Sequence, residues 1–254
     1  MKTILLDIET APSLAYVWGV WKQNVGQKQL ASHTRIMSCA VKDLEGDDIR
    51  YYESRGDNDR EIVQKIIKEL DDADFVIAHN GKKFDIPVIN ARAVVNGIKP
   101  PSPYRVIDTL LIAKREFRFI KNSLENLAIE LNVPSRKLGH GKYPGFELWL
   151  ACLSQDDEAW DEMREYNCMD VQVLEEVYLR MRPWYSVHPN VSTGNESEEQ
   201  SCPKCGGADL MKRGYFYTNK GQYQRYMCKG CGAWSSATAT QNTKEKRKSL
   251  LASR

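Results

Sequence analysis

Short apolar runs alternate with amphipathic stretches along the first three quarters of the chain, predicting strands interleaved with helices. Lys2-Thr3-Ile4-Leu5-Leu6 is too short for a helix and reads as a buried strand. It ends in Asp7-Ile8-Glu9, whose two acids sit at positions i and i+2 and so share a face. Residues 35–41 and 48–53 alternate as a strand pair turning at Glu45-Gly46-Asp47. Ile62, Val63, Ile66, Ile67 and Leu70 recur at helical spacing and predict a helix over 60–72. A strand at 74–78 leads into His79-Asn80-Gly81-Lys82-Lys83-Phe84-Asp85. Ile86-Pro87 then opens a helix that Gly97 and the prolines at 100, 101 and 103 end. Residues 123–131 read as a helix capped by Ser123. A long helix spans 156–182, starting from acids that suit its dipole. On it, Tyr166 and Asp170 lie four residues apart and stack on one face.

These elements describe an α/β sheet domain over residues 1–185. Residues 11–34 are an irregular segment, and Trp18 and Trp21 argue that it is ordered. The two rings could stack on a base, close over a site or pack on the sheet. Arg136, Lys137, His140 and Lys142 populate a loop that could grip phosphate or be a solvated basic turn. Residues 186–200 lack apolar periodicity and read as a linker. A small cysteine-bearing module follows over 201–236, and 237–254 reads as a basic flexible tail.

Composition changes this picture through charge. The 254 residues carry a net charge of +2, yet residues 1–200 hold 25 Lys/Arg against 32 Asp/Glu, a balance of -7. The rest holds 11 against 2, a balance of +9. An acidic body with a basic tail suggests nucleic-acid contact in the tail. A 42% hydrophobic content without a run of roughly 18 apolar residues excludes a membrane span. With no signal-peptide pattern at the start, the expected compartment is the cytoplasm. Cys39, Cys152 and Cys168 sit among apolar neighbours and read as buried thiols.

Asp7, Glu9, Asp85 and Asp170 all fall at element ends or faces that could converge. Hard carboxylates without His or Cys companions suit Mg²⁺ or Mn²⁺ and not zinc. Two such ions can clamp both oxygens of a phosphodiester displacement and acidify a water, which Tyr166 would orient or deprotonate. On Asp7 and Glu9 alone, a solvated strand end is the competing reading.

Asp7-Ile8-Glu9-Thr10, His79-Asn80-Gly81 through Phe84-Asp85, and Tyr166-Asn167-Cys168-Met169-Asp170 resemble, in order, the motifs of the DnaQ-like (DEDD) 3′-to-5′ exonucleases. The Tyr-x-x-x-Asp form is similar to the tyrosine subclass. The resemblance covers about 185 of 254 residues and implies an RNase H-like mixed sheet with the Asp7 strand at its centre. It implies that Asp7 bridges two metals, that Glu9 and Asp170 complete one site, and that Asp85 serves the other largely through water. Tyr166 would position the nucleophile. Asn80 and Phe84 would support the second motif or touch the terminal nucleotide, His79 would support or pack, and Asp108 is left structural.

Cys202, Cys205, Cys228 and Cys231 form two C-x-x-C pairs, a spacing that matches a closed tetrahedral site for one structural Zn²⁺. A disulfide pair is the alternative, and it fits poorly beside three further thiols. Strands at 210–213 and 223–227 around Asn219-Lys220-Gly221 make this a zinc ribbon, similar to ribbons at the N-termini of some transposition proteins. Lys212, Arg213 and Arg225 among tyrosines suit nucleic acid. Protein docking competes, and the aromatics could simply replace a missing core.

The favoured expectation is a metal-dependent 3′-to-5′ exonuclease on DNA, single-stranded at the end it digests. A polymerase or other replication protein is a candidate partner, as phage-like replication or repair would need. An exoribonuclease and a non-catalytic nucleic-acid-binding adaptor are the alternatives.

Overall fold

The computed structural model describes residues 1–135, 141–194 and 199–251. The chain divides into two compact units, Met1–Tyr178 and Leu179–Arg254. The first begins with β1 (Thr3–Thr10), β2 (Leu14–Ala15), β3 (Leu30–Ser32), β4 (Ile36–Asp43) and β5 (Ile49–Glu53). Next come α1 (Arg60–Asp71), β6 (Phe75–Ala78), α2 (Asp85–Val95), β7 (Arg105–Asp108) and α3 (Thr109–Glu116). α4 (Leu124–Glu130), α5 (Glu147–Leu153) and α6 (Asp157–Met181) follow.

Five strands form one mixed sheet in the order β5-β4-β1-β6-β7. β1 lies at its centre, as the family resemblance implied, antiparallel to β4 and parallel to β6. The alternation along β1 assigns its two faces. Ile4, Leu6 and Ile8 join Ile62, Val63, Ile66 and Leu70 of α1 and Ile89 of α2 in one buried core. Asp7 and Glu9 therefore point to the opposite face, where α6 lies. There Lys42 of β4 meets Glu175 of α6 at 2.5 Å, with both side chains largely buried. The β1–β6 pairing stops at Leu5–Ile77, short of the acids. β6 itself ends one residue later, at Ala78, and ligand crevices in α/β sheets form at such carboxyl ends.

A buried carboxylate fixes the other side of the sheet. Asp59, just before α1, is fully buried. It accepts bonds from Arg92 Nε at 2.7 Å, Arg92 Nη2 at 2.8 Å, Asn96 Nδ2 at 2.8 Å and the Ile36 N–H at 3.0 Å. Burial alone would push its pKa up, but these bonds outweigh burial and hold it below the ordinary carboxylate range.

The structure adds elements that periodicity did not show. α3 starts inside the apolar run 106–111, where Asp108 accepts bonds from the Leu110 and Leu111 N–H groups and so starts the helix. α5 is a short, nearly continuous apolar stretch without helical spacing. The segment 11–34 contains the β2–β3 pair. Trp18 and Trp21 do not pack on the sheet: they are 102% and 85% exposed. Cys39 and Cys152 are buried, whereas Cys168 is only half-buried.

In the second unit, β8 (Leu210–Thr218), β9 (Gly221–Cys228) and β10 (Trp234–Ser236) form an antiparallel sheet. Two stretches expected to be featureless are tied into this unit. The Val191 N–H donates to Pro203 O and the Ser192 hydroxyl to Cys202 O, which anchors the middle of the expected linker to the first cysteine knuckle. Gln241 N–H donates to Gln222 O and Gln222 N–H to Asn242 Oδ1, which holds the start of the expected flexible tail. Thr243 then caps a short helix, α7 (Lys244–Ser249). No helix among the described residues is long and apolar enough to cross a membrane.

Asp59→Ala strands the Arg92 guanidinium and the Ile36 N–H, and is expected to cost about 3 to 5 kcal/mol in urea unfolding at neutral pH. The folded carboxyl titrates below its unfolded value. Its contribution is therefore complete above about pH 4 and fades as pH falls through the folded pKa, where wild type and variant should converge. A variant with the wild-type midpoint at neutral pH would contradict this.

Candidate active site

β1, α6 and the turns after β6 and β7 build the acidic site. One carboxylate oxygen each from Asp7, Glu9 and Asp170 lies within 4.8 Å of the others. Asp170 is buried, and Asp7 and Glu9 are half-buried. Three acids at this separation repel one another, and oxygen donors of this kind fit a hard divalent cation. The half-buried Tyr166 sits one helical turn before Asp170, with its ring edge-on to Trp149 of α5 at 6.0 Å.

Asp85 sits apart from this trio as the first residue of α2. The Ile8 N–H donates to its Oδ1 at 3.3 Å, so it touches the backbone between Asp7 and Glu9. Burial pushes its carboxyl up to about 7; the nearby Asp108 charge adds to this, and backbone N–H bonds oppose it. Asp108 holds the adjoining turn. It accepts bonds from the Asn80 N–H at 3.1 Å and the Lys82 N–H at 3.2 Å as well as from the start of α3. The structural role expected for it has this physical content.

Within the turn Asn80 adopts a positive φ of 65°. A Cβ on Gly81 would lie 2.4 Å from the Ala78 Cβ, so only glycine fits there. His79 Nδ1 lies 2.9 Å from Thr109 Oγ1. Phe84 is 42% exposed. A cleft of about 500 Å³ is lined by Asp7 and Asp170 together with Asn80, Lys114, Asn122 and Ser123. Arg136, Lys137 and His140 lie outside the described residues. Lys142 is described, and it pairs with Glu158 at 2.5 Å.

Motif reading missed one working residue, Asn167. It is fully buried, donates from Nδ2 to Asp7 Oδ2 at 2.7 Å and accepts from the Ser38 hydroxyl at 3.1 Å. One amide thus fixes Asp7 from α6, and β4 fixes the amide. Its place directly after Tyr166 was the available signal.

In the second unit the four expected cysteines converge. Sulfur atoms of Cys202, Cys205, Cys228 and Cys231 all lie within 4.8 Å of one another. The Cys202–Cys231 and Cys205–Cys228 separations are 3.7 Å. That is too long for a disulfide, and it matches the roughly 3.8 Å edge of a tetrahedron with 2.3 Å zinc–sulfur bonds. The two knuckles repeat one design. Gly206 and Gly232 N–H groups donate to Cys202 O and Cys228 O, each glycine at φ +76°. Burial and neighbouring sulfurs push the Cys205 and Cys231 thiols up. Lys212, Arg213 and Arg225 are exposed on β8 and β9, and the Arg225 guanidinium lies 5.0 Å over the Trp234 ring.

A mixed sheet with carboxylates at its central strand end defines an RNase H-like nuclease fold. The chain belongs to the RNase H superfamily, whose family model matches residues 4–182. Among solved structures it is similar to a family B DNA polymerase from the hyperthermophilic archaeon Pyrobaculum calidifontis, at 16% identity and a TM-score of 0.53. That match covers 72% of this chain and 25% of the polymerase chain. Comparison with curated proteins finds no match. The fold supports a nuclease, and a nuclease fold implies nucleic-acid binding.

Asn167→Ala should weaken Mn²⁺ binding to the full chain by roughly 10- to 100-fold, because the partner that orients Asp7 is gone. Calorimetric titration reads this directly. An unchanged affinity would reduce Asn167 to packing.

Proposed function

We propose that this chain is a metal-dependent 3′-to-5′ exonuclease of the DnaQ-like tyrosine subclass, acting on DNA that is single-stranded at its 3′ end. The observation that carries the reading is the Asp7, Glu9 and Asp170 trio within 4.8 Å, with Asp85 bonded to the backbone between the first two. Two Mg²⁺ or Mn²⁺ held by these four acids would neutralise the scissile phosphate and lower the pKa of the attacking water. Asn167, donating to Asp7 Oδ2, holds the Asp7 carboxylate in place. Tyr166, one turn earlier on the same helix, orients that water or takes its proton. Asp108 clamps the turn that presents Asn80 and Phe84, which contact the terminal nucleotide. Lys114 lines the same cleft as Asp7 and Asp170 and offsets phosphate charge.

In this reading residues 1–185 are the nuclease, 186–200 connect, and 201–236 are a zinc ribbon holding one Zn²⁺ on its four cysteines. Lys212, Arg213 and Arg225 with the basic tail add nonspecific affinity for the nucleic-acid backbone. The nuclease would work beside a polymerase or other replication protein.

Asp7→Ala or Asp170→Ala should lower Mn²⁺-dependent release of mononucleotides from a 3′ end by roughly 10³-fold or more. Tyr166→Phe should cost less, about 10- to 100-fold, since the acids remain. Undiminished release in either acid variant would remove the proposal. Elemental analysis should find one zinc per chain, lost in Cys205→Ser/Cys231→Ser; zinc-free wild-type protein would refute the ribbon.

A further inference from the structure

The segment between β1 and β4 is an ordered arm whose exposed face the acidic site does not explain. Its stem is well bonded. Leu14 and Ala15 pair with Ser32 and Leu30, the Tyr16 N–H donates to Gln29 O at 2.8 Å, and Gln29 Nε2 donates to Tyr16 O at 3.0 Å. Beyond that clamp the chain displays Tyr16 at 78%, Trp18 at 102%, Val20 at 81% and Trp21 at 85% exposure. Large rings left in water on a hydrogen-bonded stem mark a contact surface.

Charge identifies the occupant. From Thr10 to Lys42 there is no Asp or Glu, while Lys22, Lys28 and Arg35 are present; the remainder of residues 1–200 carries 32 acids. A carboxylate-free, aromatic and basic strip on an otherwise acidic body complements a polyanion with flat rings. The strip is also continuous with the chemistry, since Leu14 of the stem follows Glu9 by five residues. At its base Arg35 is 7% exposed; its Nη2 pairs with the exposed Asp57 at 4.0 Å, while its Nη1 has no hydrogen-bond partner among the described residues. It lines a cleft of about 570 Å³ together with Leu14, Ser32, His33, Arg92 and Asp57.

The geometry points to residues 14–32 as a single-strand clamp, with Trp18 and Trp21 stacking on unpaired bases of the strand whose end enters the acidic cleft. This rests on the nuclease reading for where that strand leads, but not for its binding. Duplex DNA hides its base faces, so the arm selects unpaired strands.

The test measures binding of a fluorescein-labelled oligothymidylate of about 12 nucleotides to the full zinc-bearing chain in Ca²⁺, with tryptophan emission recorded alongside. Trp18→Ala/Trp21→Ala should raise Kd by roughly 30-fold or more and abolish most of the emission quenching, because each stacked ring contributes strongly to affinity. Trp18→Phe/Trp21→Phe should restore most of the affinity. An unchanged Kd in the alanine variant overturns the clamp. So does wild-type self-association that the alanine variant loses while its oligonucleotide affinity stays. Wild-type protein that binds with arm-dependent quenching but releases no nucleotide in Mn²⁺ defeats the nuclease reading and leaves the clamp standing.

Discussion

Three carboxylates forced together at one end of a strand are the constraint on which the first unit turns. At separations below 5 Å, Asp7, Glu9 and Asp170 oppose their own assembly, and the rest of the unit supplies what holds them. Apolar alternation places Ile4, Leu6 and Ile8 in the core with α1 and α2. A shift of one residue would expose all three, so burying them commits Asp7 and Glu9 to the face that α6 covers. The Lys42–Glu175 pair and the Asn167 bridge then tie β4 and β1 to α6.

Around this trio each support acts at a different distance. Asn167 sets the direction of one carboxylate. The Ile8 backbone, placed between the two acids of β1, holds Asp85. Asp108 gathers four backbone N–H groups from two turns and so shapes the rim of the cleft without entering the trio. Asp59 closes the opposite side of the sheet with a buried ion pair. Polar groups buried in this way cost free energy unless fully bonded, and the partners of Asp59 and Asp108 meet that requirement.

Much of this was legible from residue spacing. The i, i+2 acids of β1, the i, i+4 pair on α6 and the glycine that ends α2 each follow from local geometry, and the paired cysteines announce their own cluster. Other features depend on distant partners. Asn167 acquires its role from Ser38, and the chain between them shows no period linking the two. α3 was hidden because strand and helix share one apolar run that only the Asp108 cap divides. α5 is apolar on nearly every side, and β2 is two residues long, so neither carries a readable repeat. For Trp18 and Trp21 the sequence leaves packing, closure and stacking open, because tryptophan is more often buried than displayed; their exposure is visible only in the fold.

The central claim is that the carboxylate trio is kept for cations and destabilises the chain without them. Thermal unfolding of the full zinc-bearing chain with and without Mn²⁺ tests it most directly, comparing wild type with Asp7→Asn. The account predicts that the variant melts higher than wild type in the absence of added Mn²⁺, and that Mn²⁺ stabilises wild type but not the variant. A variant no more stable than wild type and equally stabilised by Mn²⁺ would contradict it.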